Sequence, residues 1–512
     1  MSARQANPPE KQQTTSRHTM ELHILIDGTR DLGGQLYRQL SEAIRSGRLA
    51  DGQQLPPSRL LASQLGLSRK TVSDVYDKLG YEKLLVGKVG VGSFVQTPHA
   101  SPQRRYASTP LASAQRIARW EATPTPLRRA SQETPARYAF IGGRATPSHF
   151  PQDEWRACVL HALRQDGQAR GRYAPVAGLP ALRTAIAGHA AFSRGIHCTP
   201  EQVLVTSGAQ QALALLAHTL LEAGDTVAVE EPGYPVARAV FASHGARVVG
   251  IMVDEDGIVV EHIPDGTRLI YVTPAHQFPL GMPMSMARRH ALLERAHQLG
   301  AIVIEDDYDS AFRYEGRPED SLQSMDRYGV VAHVGSFSKI MLPELRLGYV
   351  VLPLAIVAAV ETVKYLNDCH TASLGQHALA KFIGDGHLLR HIRRCHDIYA
   401  GRRERLQHWF NGPLAPWFRL VPASAGFHVA ALAQAPLDIA QLLRRARLAD
   451  ISLYALASFY HGDARHEGLF LGYGAIDRLD IDTALATVLA ILQDMAPITA
   501  APRDAAASDN AP

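Results

Sequence analysis

The sequence is poor in the features that mark several classes of protein. Its 512 residues include only four cysteines, and no two of them form a CxxC pair: Cys158, Cys198, Cys369 and Cys395. This distribution argues against a disulfide framework or a cysteine-based zinc site and indicates a reducing, cytoplasmic setting. No apolar run is long enough to span a membrane, and the N-terminus is polar through Thr19, so no signal peptide is expected.

Strong charge and simple ligand motifs are also missing. The net charge is only +4, and residues 21–97 hold ten Lys and Arg against eight Asp and Glu, so bulk charge does not indicate DNA binding. There is no GxxxxGK[ST] phosphate loop. His387 and His391 lie four residues apart, but we expect no carboxylate or third ligand near them and therefore no metal site.

Two short helices near the N-terminus are the first clear pattern. Residues 58–65 are amphipathic, and Gly66 with Leu67 predicts a tight turn. Ser68 is a suitable cap for a second helix, which carries Arg69, Lys70 and Thr71 in its first turn. The apolar residues of this second helix share one face: Val72, Val75, Tyr76 and Leu79. The pattern predicts a helix-turn-helix whose second helix reaches base edges with its first turn. We expect Ser68 to contact DNA together with that first turn.

The next residues complete a winged helix. Residues 84–95 predict two short strands around a glycine-rich tip that contains Lys88. We expect Arg59 and Lys88 to contact DNA phosphates, because phosphate contacts position such a domain on the duplex. The N-terminal domain is therefore predicted to bind double-stranded DNA.

Composition divides the chain into five segments. Residues 1–20 are polar and expected to be disordered, and residues 21–97 are the winged helix. Residues 98–137 carry six prolines, seven arginines and two acids without sustained periodicity, which predicts a linker. Residues 138–498 form the large effector domain, and residues 499–512 are an Ala, Asp and Pro tail expected to be loose.

Strands and helices alternate from Tyr138 onward, which is typical of an α/β fold with a mostly parallel sheet. Ser285 caps a strong helix that runs through Leu299, and Gly300 ends it. The predicted strands cover residues 203–206, 225–230, 268–273, 301–306 and 330–334.

A lysine motif follows the last of these strands. Gly335–Lys339 (GSFSK) places small hydroxyl residues before Lys339, and Arg346 lies seven residues later. Such a lysine suits a Schiff base beside a phosphate held by hydroxyls and a guanidinium. The strand over 301–306 ends in acid, and a carboxylate there could keep a pyridine nitrogen protonated. Together these features indicate pyridoxal 5'-phosphate (PLP).

A phosphate cup is predicted at another strand-to-helix junction. Ser207, Gly208, Ala209 and Gln210 occupy a turn whose free backbone amides and helix dipole favour an anion. We expect a second set of residues to complete the cup: Ser336, Ser338 and Arg346.

Two known families share these motifs. Residues 32–97 resemble the GntR-type winged helix through Pro57–Ala62 (PSRLLA), Leu65–Val72 (LGLSRKTV) and Gly90–Val95 (GVGSFV). Residues 138–497 resemble the fold-type-I aminotransferases. The three motifs that carry this second resemblance are 273–281 (TPAHQFPLG), 304–310 (IEDDYDS) and 335–339. The fusion resembles the MocR subfamily of GntR regulators, which includes GabR- and PdxR-like proteins.

The resemblance implies a large α/β domain with a smaller C-terminal α+β subdomain, and it assigns further roles around PLP. Tyr234 would stack on the pyridine ring, Asp306 would pair with the ring nitrogen, and Tyr308 would bond the ring 3-oxygen. Gln277, or alternatively His276, would replace the asparagine of many aminotransferases. The resemblance also implies a homodimer that presents two winged helices to paired half-sites.

Two functions are compatible with these motifs. In the first, the chain is a transcriptional regulator whose aminotransferase-like domain senses PLP, an amine or an amino acid through an aldimine. In the second, it is a working aminotransferase with a DNA-binding arm. Many relatives hold the substrate carboxylate with an arginine near residues 467–473, where this sequence places Leu469. Arg465 is the nearest substitute, and we do not expect it to serve, which favours the regulator.

Overall fold

The structure is a computed structural model of the full chain. It describes residues 24–28, 30–88, 90–96, 112–123, 136–168, 171–316 and 320–495. The predicted tails, 1–20 and 499–512, lie outside the described residues. The chain divides into two compact units, Met1–Glu121 and Ala122–Pro512.

The first unit is a winged helix, as predicted. Its helices are α1 (Leu32–Arg45), α2 (Ser58–Leu65) and α3 (Arg69–Tyr81), and its wing pairs β1 (Leu85–Lys88) with β2 (Gly92–Val95) in antiparallel register. The three helices and the wing pack their apolar faces against one another and bury one small core. That core includes Leu36, Leu40, Ile44, Val72, Val75, Leu79, Leu84 and Val95.

The turn of the helix-turn-helix is fixed by local backbone chemistry. Gly66 ends α2 with a φ of +65°, a left-handed conformation that glycine adopts without strain. Ser68 then begins α3, and its hydroxyl accepts a hydrogen bond from the Thr71 amide at 3.0 Å. Tyr76 ties the two helices together, since its hydroxyl donates to the Pro56 carbonyl at 2.8 Å.

One part of the predicted linker is helical. Most of residues 98–137 lies outside the described residues, but Ala114–Ala122 forms an α-helix that we did not expect. The segment is rich in Ala, Arg, Gln and Glu, which are good helix formers, and it is too short to show a clear period. Its Ile117 and Trp120 are exposed.

The second unit is built on an eight-stranded sheet within the described residues. The strands are β4 (Val203–Thr206), β5 (Thr226–Glu231), β6 (Arg247–Asp254), β7 (Gly257–Ile258), β8 (Thr267–Val272), β9 (Ile302–Asp307), β10 (Val331–Ser336) and β11 (Gly348–Val351). Their order in the sheet is β4-β11-β10-β9-β8-β5-β6-β7, and the pairs among β10, β9, β8, β5 and β6 are parallel.

Helices cover both faces of this sheet, as a mostly parallel sheet requires. Strand alternation divides the apolar side chains, so that Tyr271 and Ile304 enter one core while Ile270 and Val303 enter another. The α-helices in the described part of the second unit are Gln152–Gln168, Pro180–Arg194, Ala209–Leu220, Pro235–Ser243, Met286–Leu299, Leu322–Met325, Phe337–Ile340, Val357–Asp368, Ser373–Gly384, His387–Asn411, Ile439–Leu448 and Arg478–Met495.

A smaller antiparallel sheet forms the C-terminal part of this unit. Its order is β12-β13-β16-β15, with β12 (Phe418–Leu420), β13 (His428–Ala433), β15 (Tyr454–Ala455) and β16 (Gly468–Gly472). Separately, β3 (Tyr138–Ala139) pairs in parallel with β14 (Ile451–Ser452), which ties the start of the unit to its C-terminal part. The predicted fold class, a winged helix plus an aminotransferase-type α/β domain, is confirmed.

Candidate functional site

A cavity of about 240 Å³ lies at the carboxyl ends of β8, β9 and β10. Ligands of parallel α/β sheets bind at this edge, because the strand ends leave a crevice there. Thr273, Asp306 and Ser336 lie at or just after those strand ends and contribute to the wall. The residues predicted from sequence that line the cavity are Ala209, Gln210, Tyr234, Asp306, Tyr308, Ser336 and Lys339.

Lys339 lies on the short helix that follows β10. Its Nζ donates a hydrogen bond to the Gly143 carbonyl at 2.9 Å. Burial lowers the pKa of Lys339, against the opposing fields of Asp309 and Asp306. A neutral amine is the form that attacks a carbonyl carbon, so this environment suits a lysine nucleophile.

Three consecutive acids end β9, and two of them have strong partners. Glu305 lies 3.1 Å from His333 Nδ1, and Asp307 lies 2.6 Å from Arg194 Nε. Burial alone would raise the pKa of each carboxyl, but the fields and hydrogen bonds of His333 and Arg194 hold both below their usual range. Asp306, between them, points to the opposite face of the strand.

Asp306 is left with one unsatisfied oxygen. Its Oδ2 accepts from the Tyr271 hydroxyl at 2.6 Å, whereas its Oδ1 is buried without a hydrogen-bond partner among the described residues. Burial raises the pKa of Asp306 to about 6. A buried acceptor in a cavity wall calls for a donor, and a protonated pyridine nitrogen would supply both the hydrogen bond and the positive charge. The site therefore fits PLP at this end.

Tyr308 is held by a buried network behind the cavity wall. Its hydroxyl donates to the His276 carbonyl at 2.8 Å, and its ring stacks on the His276 imidazole. His276 Nδ1 lies 2.9 Å from Asp309 Oδ1, and Asp309 also accepts from the Phe427 amide at 3.3 Å. Burial raises the pKa of Tyr308 far above its usual value, so the phenol stays protonated, and Tyr308 contributes to the cavity wall.

Residues of the predicted phosphate cup lie around the start of helix Ala209–Leu220. Four of them are not among the residues that line the cavity: Ser207, Gly208, Ser338 and Arg346. Gly208 precedes the helix with a φ of +94°, and a methyl group built there would lie 3.0 Å from Arg346 Nη2. Arg346 Nη2 also donates to the Ser207 carbonyl at 2.7 Å. On the neighbouring segment, the Ser336 hydroxyl accepts from the Ser338 amide at 3.2 Å. A guanidinium and helix amides thus meet at one place, which suits an anion.

Tyr234 lies in the cavity wall just before helix Pro235–Ser243. Its ring meets Phe278 edge to face, with centroids 5.6 Å apart at 81°. Burial raises the pKa of Tyr234 to about 12. Its place in the wall is compatible with the predicted stacking on a planar cofactor ring.

Neither Gln277 nor His276 lines the cavity, contrary to the sequence prediction. The Gln277 amide is occupied by backbone, because Nε2 donates to the Pro232 and Phe278 carbonyls and Oε1 accepts from the Leu280 amide. Within the loop over 273–281, the side chain that enters the cavity wall after Thr273 is Phe278. A loop of irregular backbone gives no period from which this could have been predicted.

The expected position of the missing arginine was also wrong by one residue. Leu469 packs into the main apolar core, and Phe470 is the β16 residue that faces the cavity. Adjacent residues of a strand point to opposite faces. An error of one residue in the alignment therefore assigns to the cavity a side chain that lies in the core. Arg465 lines a separate depression with Arg419 and Gln434, not the cavity of Lys339.

Several wall residues escaped the sequence analysis, most clearly Ile141–Arg144. A methyl group at Gly143 would lie 2.5 Å from Lys339 Nζ, and one at Gly142 would lie 2.3 Å from the Phe470 ring. Two consecutive glycines before the exposed Arg144 could have predicted this, because glycine allows the backbone to lie very close to other groups at a site. The other missed residues come from strand ends and turns: Tyr271, Thr273, Phe278, Asp309, Phe427, His428, Tyr454, Phe459 and Phe470.

Among the residues that the structure describes, two clusters have the residue types of a metal site. Contrary to expectation, a carboxylate and a thiol lie near His387, since Asp385 and Cys158 group with it. Asp385 is already paired with Lys381 at 2.8 Å, however. In the second cluster, His276, Asp309 and His428 are buried together, and Asp309 is hydrogen-bonded to His276. Neither arrangement requires a cation to satisfy its carboxylate.

The first unit presents the predicted DNA contacts on exposed surface. Arg69 and Lys70 are exposed at the start of α3, and Thr71 is partly buried beside its cap. Arg59 is exposed on α2, and Lys88 at the end of β1 lies over the Phe94 ring at 4.9 Å. None of these four cations has a carboxylate partner within the described part of the chain. They are therefore available to an anionic partner.

Comparison with known proteins agrees with both units. The family described as "Aminotransferase class I and II" matches residues 148–444, and "Bacterial regulatory proteins, gntR family" matches residues 32–95. None of the helices described here is long and apolar enough to cross a membrane.

Similar proteins span most of the chain. The probable rhizopine catabolism regulatory protein MocR of Rhizobium meliloti is 35% identical over 449 residues, which cover 86% of this chain and 90% of that one. The HTH-type transcriptional regulator TauR of Rhodobacter capsulatus is 36% identical over 385 residues, covering 74% and 79%. The crystal structure of Pyrococcus horikoshii kynurenine aminotransferase superposes with a TM-score of 0.68 at 25% identity, covering 75% of this chain and 99% of that one.

The fold and these matches define a winged-helix regulator fused to an aminotransferase-type domain. The chain belongs to the MocR-like subfamily of GntR-type transcriptional regulators.

The unsatisfied Asp306 should make the cofactor-free protein sensitive to pH. Its pKa is about 6 in the folded chain against an ordinary 3.8, so its destabilising effect is nearly absent at pH 4 and complete above pH 7. Asp306→Asn should therefore stabilise the protein progressively as the pH rises, by roughly 2–3 kcal/mol more at pH 8 than at pH 4. Urea unfolding at both pH values measures the difference.

Asp256→Asn is the matched control, because that carboxylate is exposed. Its effect should be the same at both pH values. An equal effect of Asp306→Asn at pH 4 and pH 8 would show that this carboxyl is not strained by burial.

Proposed function

We propose that the second unit binds PLP on Lys339 and that this site controls DNA binding by the first unit. One observation carries the proposal: Lys339 and Asp306 line the same cavity, and one oxygen of the buried Asp306 carboxyl has no hydrogen-bond partner among the described residues. The phosphate cup beside Ser207 and Arg346 adds the third contact that this cofactor needs. The similar Pyrococcus horikoshii enzyme was crystallised with PMP, which supports the same cofactor class here.

Each residue then has a definite task. Asp306 would bond the ring nitrogen, Tyr308 the ring 3-oxygen, and Tyr234 would cover one ring face. The phosphate would be held by the Ser207–Gln210 turn and by three side chains: Ser336, Ser338 and Arg346. When bound, PLP supplies a carbonyl carbon that accepts amines and a ring that withdraws electrons.

Control of transcription follows from differential binding. A ligand of the cavity changes DNA affinity only by the difference in its affinity for the chain's DNA-binding and non-binding arrangements. We infer that the effector is PLP itself, an amine or an amino acid. A homodimer would set two winged helices on paired half-sites, and the joint contact would raise affinity above that of either alone.

An active aminotransferase is the second candidate, because it would use the same lysine and acid. Fast turnover needs a substrate held in one orientation, usually through its carboxylate. The β16 position that faces the cavity is Phe470, and Arg144 is the cation that remains in the wall besides Lys339. This favours a site that binds an amine without rapid turnover, which suits a regulator.

The lysine should be essential for covalent attachment of the cofactor. Wild-type protein loaded with PLP should be yellow, and borohydride should fix the cofactor to the peptide that contains Lys339. Lys339→Ala should lose this label while keeping its fold, because only an amine forms the link. Mass spectrometry of the reduced digest measures attachment. Lys381→Ala, at the partly exposed lysine paired with Asp385, is the control and should keep the label; persistence of the label in Lys339→Ala would refute the assignment.

Arg69 should contribute to sequence readout. Loss of a bidentate base contact costs about 1–3 kcal/mol and relaxes specificity, so Arg69→Ala should bind the chain's own upstream DNA about tenfold or more weakly. We expect Lys70 and Thr71 to assist it, whereas Arg59→Ala and Lys88→Ala should weaken binding to all sequences alike. Gel shifts with specific and unrelated duplexes separate the two effects.

Arg45→Ala is the matched control for Arg69→Ala. Arg45 pairs with Glu82 beyond the far end of α3, about 20 Å along the helix from Arg69. Its loss should leave DNA binding unchanged. Equal affinity and selectivity of Arg69→Ala and wild type would remove Arg69 from the readout.

The two candidate functions differ in turnover and in operator binding. For a regulator, steady-state transamination should be slow with every common amino donor, while the same donors change the affinity for operator DNA. Parallel titrations of both activities on one preparation make the comparison. Rapid turnover together with no specific operator would favour the aminotransferase.

A further inference from the structure

We propose that the cavity beside Lys339 selects a primary amine with an apolar, ring-sized side chain, and that Phe470 is the main determinant of this choice. The inference rests on the proposed function, because the amine is recognised next to the cofactor-bearing lysine. It adds the chemical class of the effector.

Three phenyl rings form one side of the cavity. Phe459 and Phe470 have centroids 5.0 Å apart, and Phe278 lies 5.1 Å from Phe459 and 5.5 Å from Phe470. Contacts at these spacings are the favourable edge-to-face and tilted arrangements of aromatic groups. This ring wall, Phe278 with Phe459 and Phe470, offers carbon surface and no hydrogen-bonding group to a ligand.

The ring wall lies directly beside the reactive amine. Gly142 and Gly143 are adjacent in sequence, and one faces the Phe470 ring while the other faces Lys339 Nζ. Since neighbouring Cα atoms are about 3.8 Å apart, a ligand with its nitrogen at Lys339 has its next few carbon atoms within reach of Phe470. The side chain of the amine would therefore pack against phenyl rings.

Charge in the same region disfavours an acidic side chain. Asp309 lies in the cavity wall and is almost completely buried. Tyr454, which is directly opposite Phe470 on the neighbouring strand, also lines the cavity and carries no charge. An additional carboxylate packed against the ring wall would lose its hydration with no hydrogen-bonding group there to replace it, and Arg144, the cation in the wall besides Lys339, is exposed to solvent. An uncharged ring meets no such opposition.

Amine titrations of the PLP-loaded full chain test the inference. The probes are two matched pairs, phenylalanine against aspartate and 2-phenylethylamine against ethylamine, followed by the visible absorbance of the cofactor and by operator affinity. The ring-bearing member of each pair should bind about tenfold or more tightly, as expected for burial of a phenyl-sized group. Phe470→Ala should reduce that preference severalfold, and Phe470→Leu should keep part of it.

Phe192→Ala is the matched control, because that phenylalanine is 75% exposed and does not line the cavity. It should keep the wild-type preference. The cofactor absorbance of each variant reports that its site is folded and loaded, and Phe470→Leu provides a conservative change if Phe470→Ala does not fold. A retained cofactor band with equal binding of ring and non-ring amines, or with tighter aspartate binding, overturns this inference alone. Absence of any cofactor band in the wild type overturns the proposed function and the inference with it.

Discussion

The candidate site depends on a difference among three neighbouring acids at the end of β9: two have strong hydrogen-bond or ion-pair partners, and the third has an oxygen without one. Glu305 accepts hydrogen bonds from the Leu322 and Gln323 amides, and Asp307 pairs with Arg194, so both carboxyls have strong partners. Asp306 shares their burial but has only the Tyr271 hydroxyl, which leaves one oxygen unsatisfied. A polar group left in this state is costly unless a ligand completes it. Of the three carboxyls, the one with an unsatisfied oxygen is therefore Asp306, which lines the cavity.

The fold was predictable where the sequence has a strong local signal. The strand predicted at 301–306 is β9, Ile302–Asp307, and Ser285 with Gly300 bounds helix Met286–Leu299 as expected. Strand β11, Gly348–Val351, was not predicted, although it pairs with both β4 and β10. It has only four residues, all buried, and so short an apolar run shows no period. Its place in the sheet depends on non-local pairing that the sequence does not display.

The candidate site was predictable where spacing along the chain determines chemistry and was missed where side-chain direction decides. Lys339, Asp306 and Tyr234 follow from motifs, and the structure brings all three to one cavity. Motifs do not reveal the direction of a side chain. The sequence therefore predicted Leu469 and Gln277 at the site, whereas the structure has Phe470 and Phe278 in the cavity wall. Strand pairing fixes the first of these directions, and backbone bonds to the Gln277 amide fix the second.

The separation of the two candidate sites has a consequence for how such chains diverge. The residues that line the cavity come from 141–470, whereas the proposed DNA contacts all fall within 59–88. No residue serves both sites. If the proposed roles hold, a substitution at a position such as Phe470 would change which small molecule is sensed without altering the residues that contact DNA. A chain of this kind could then respond to a new small molecule, or act on a new gene, through substitutions in one site while the other site stays unchanged.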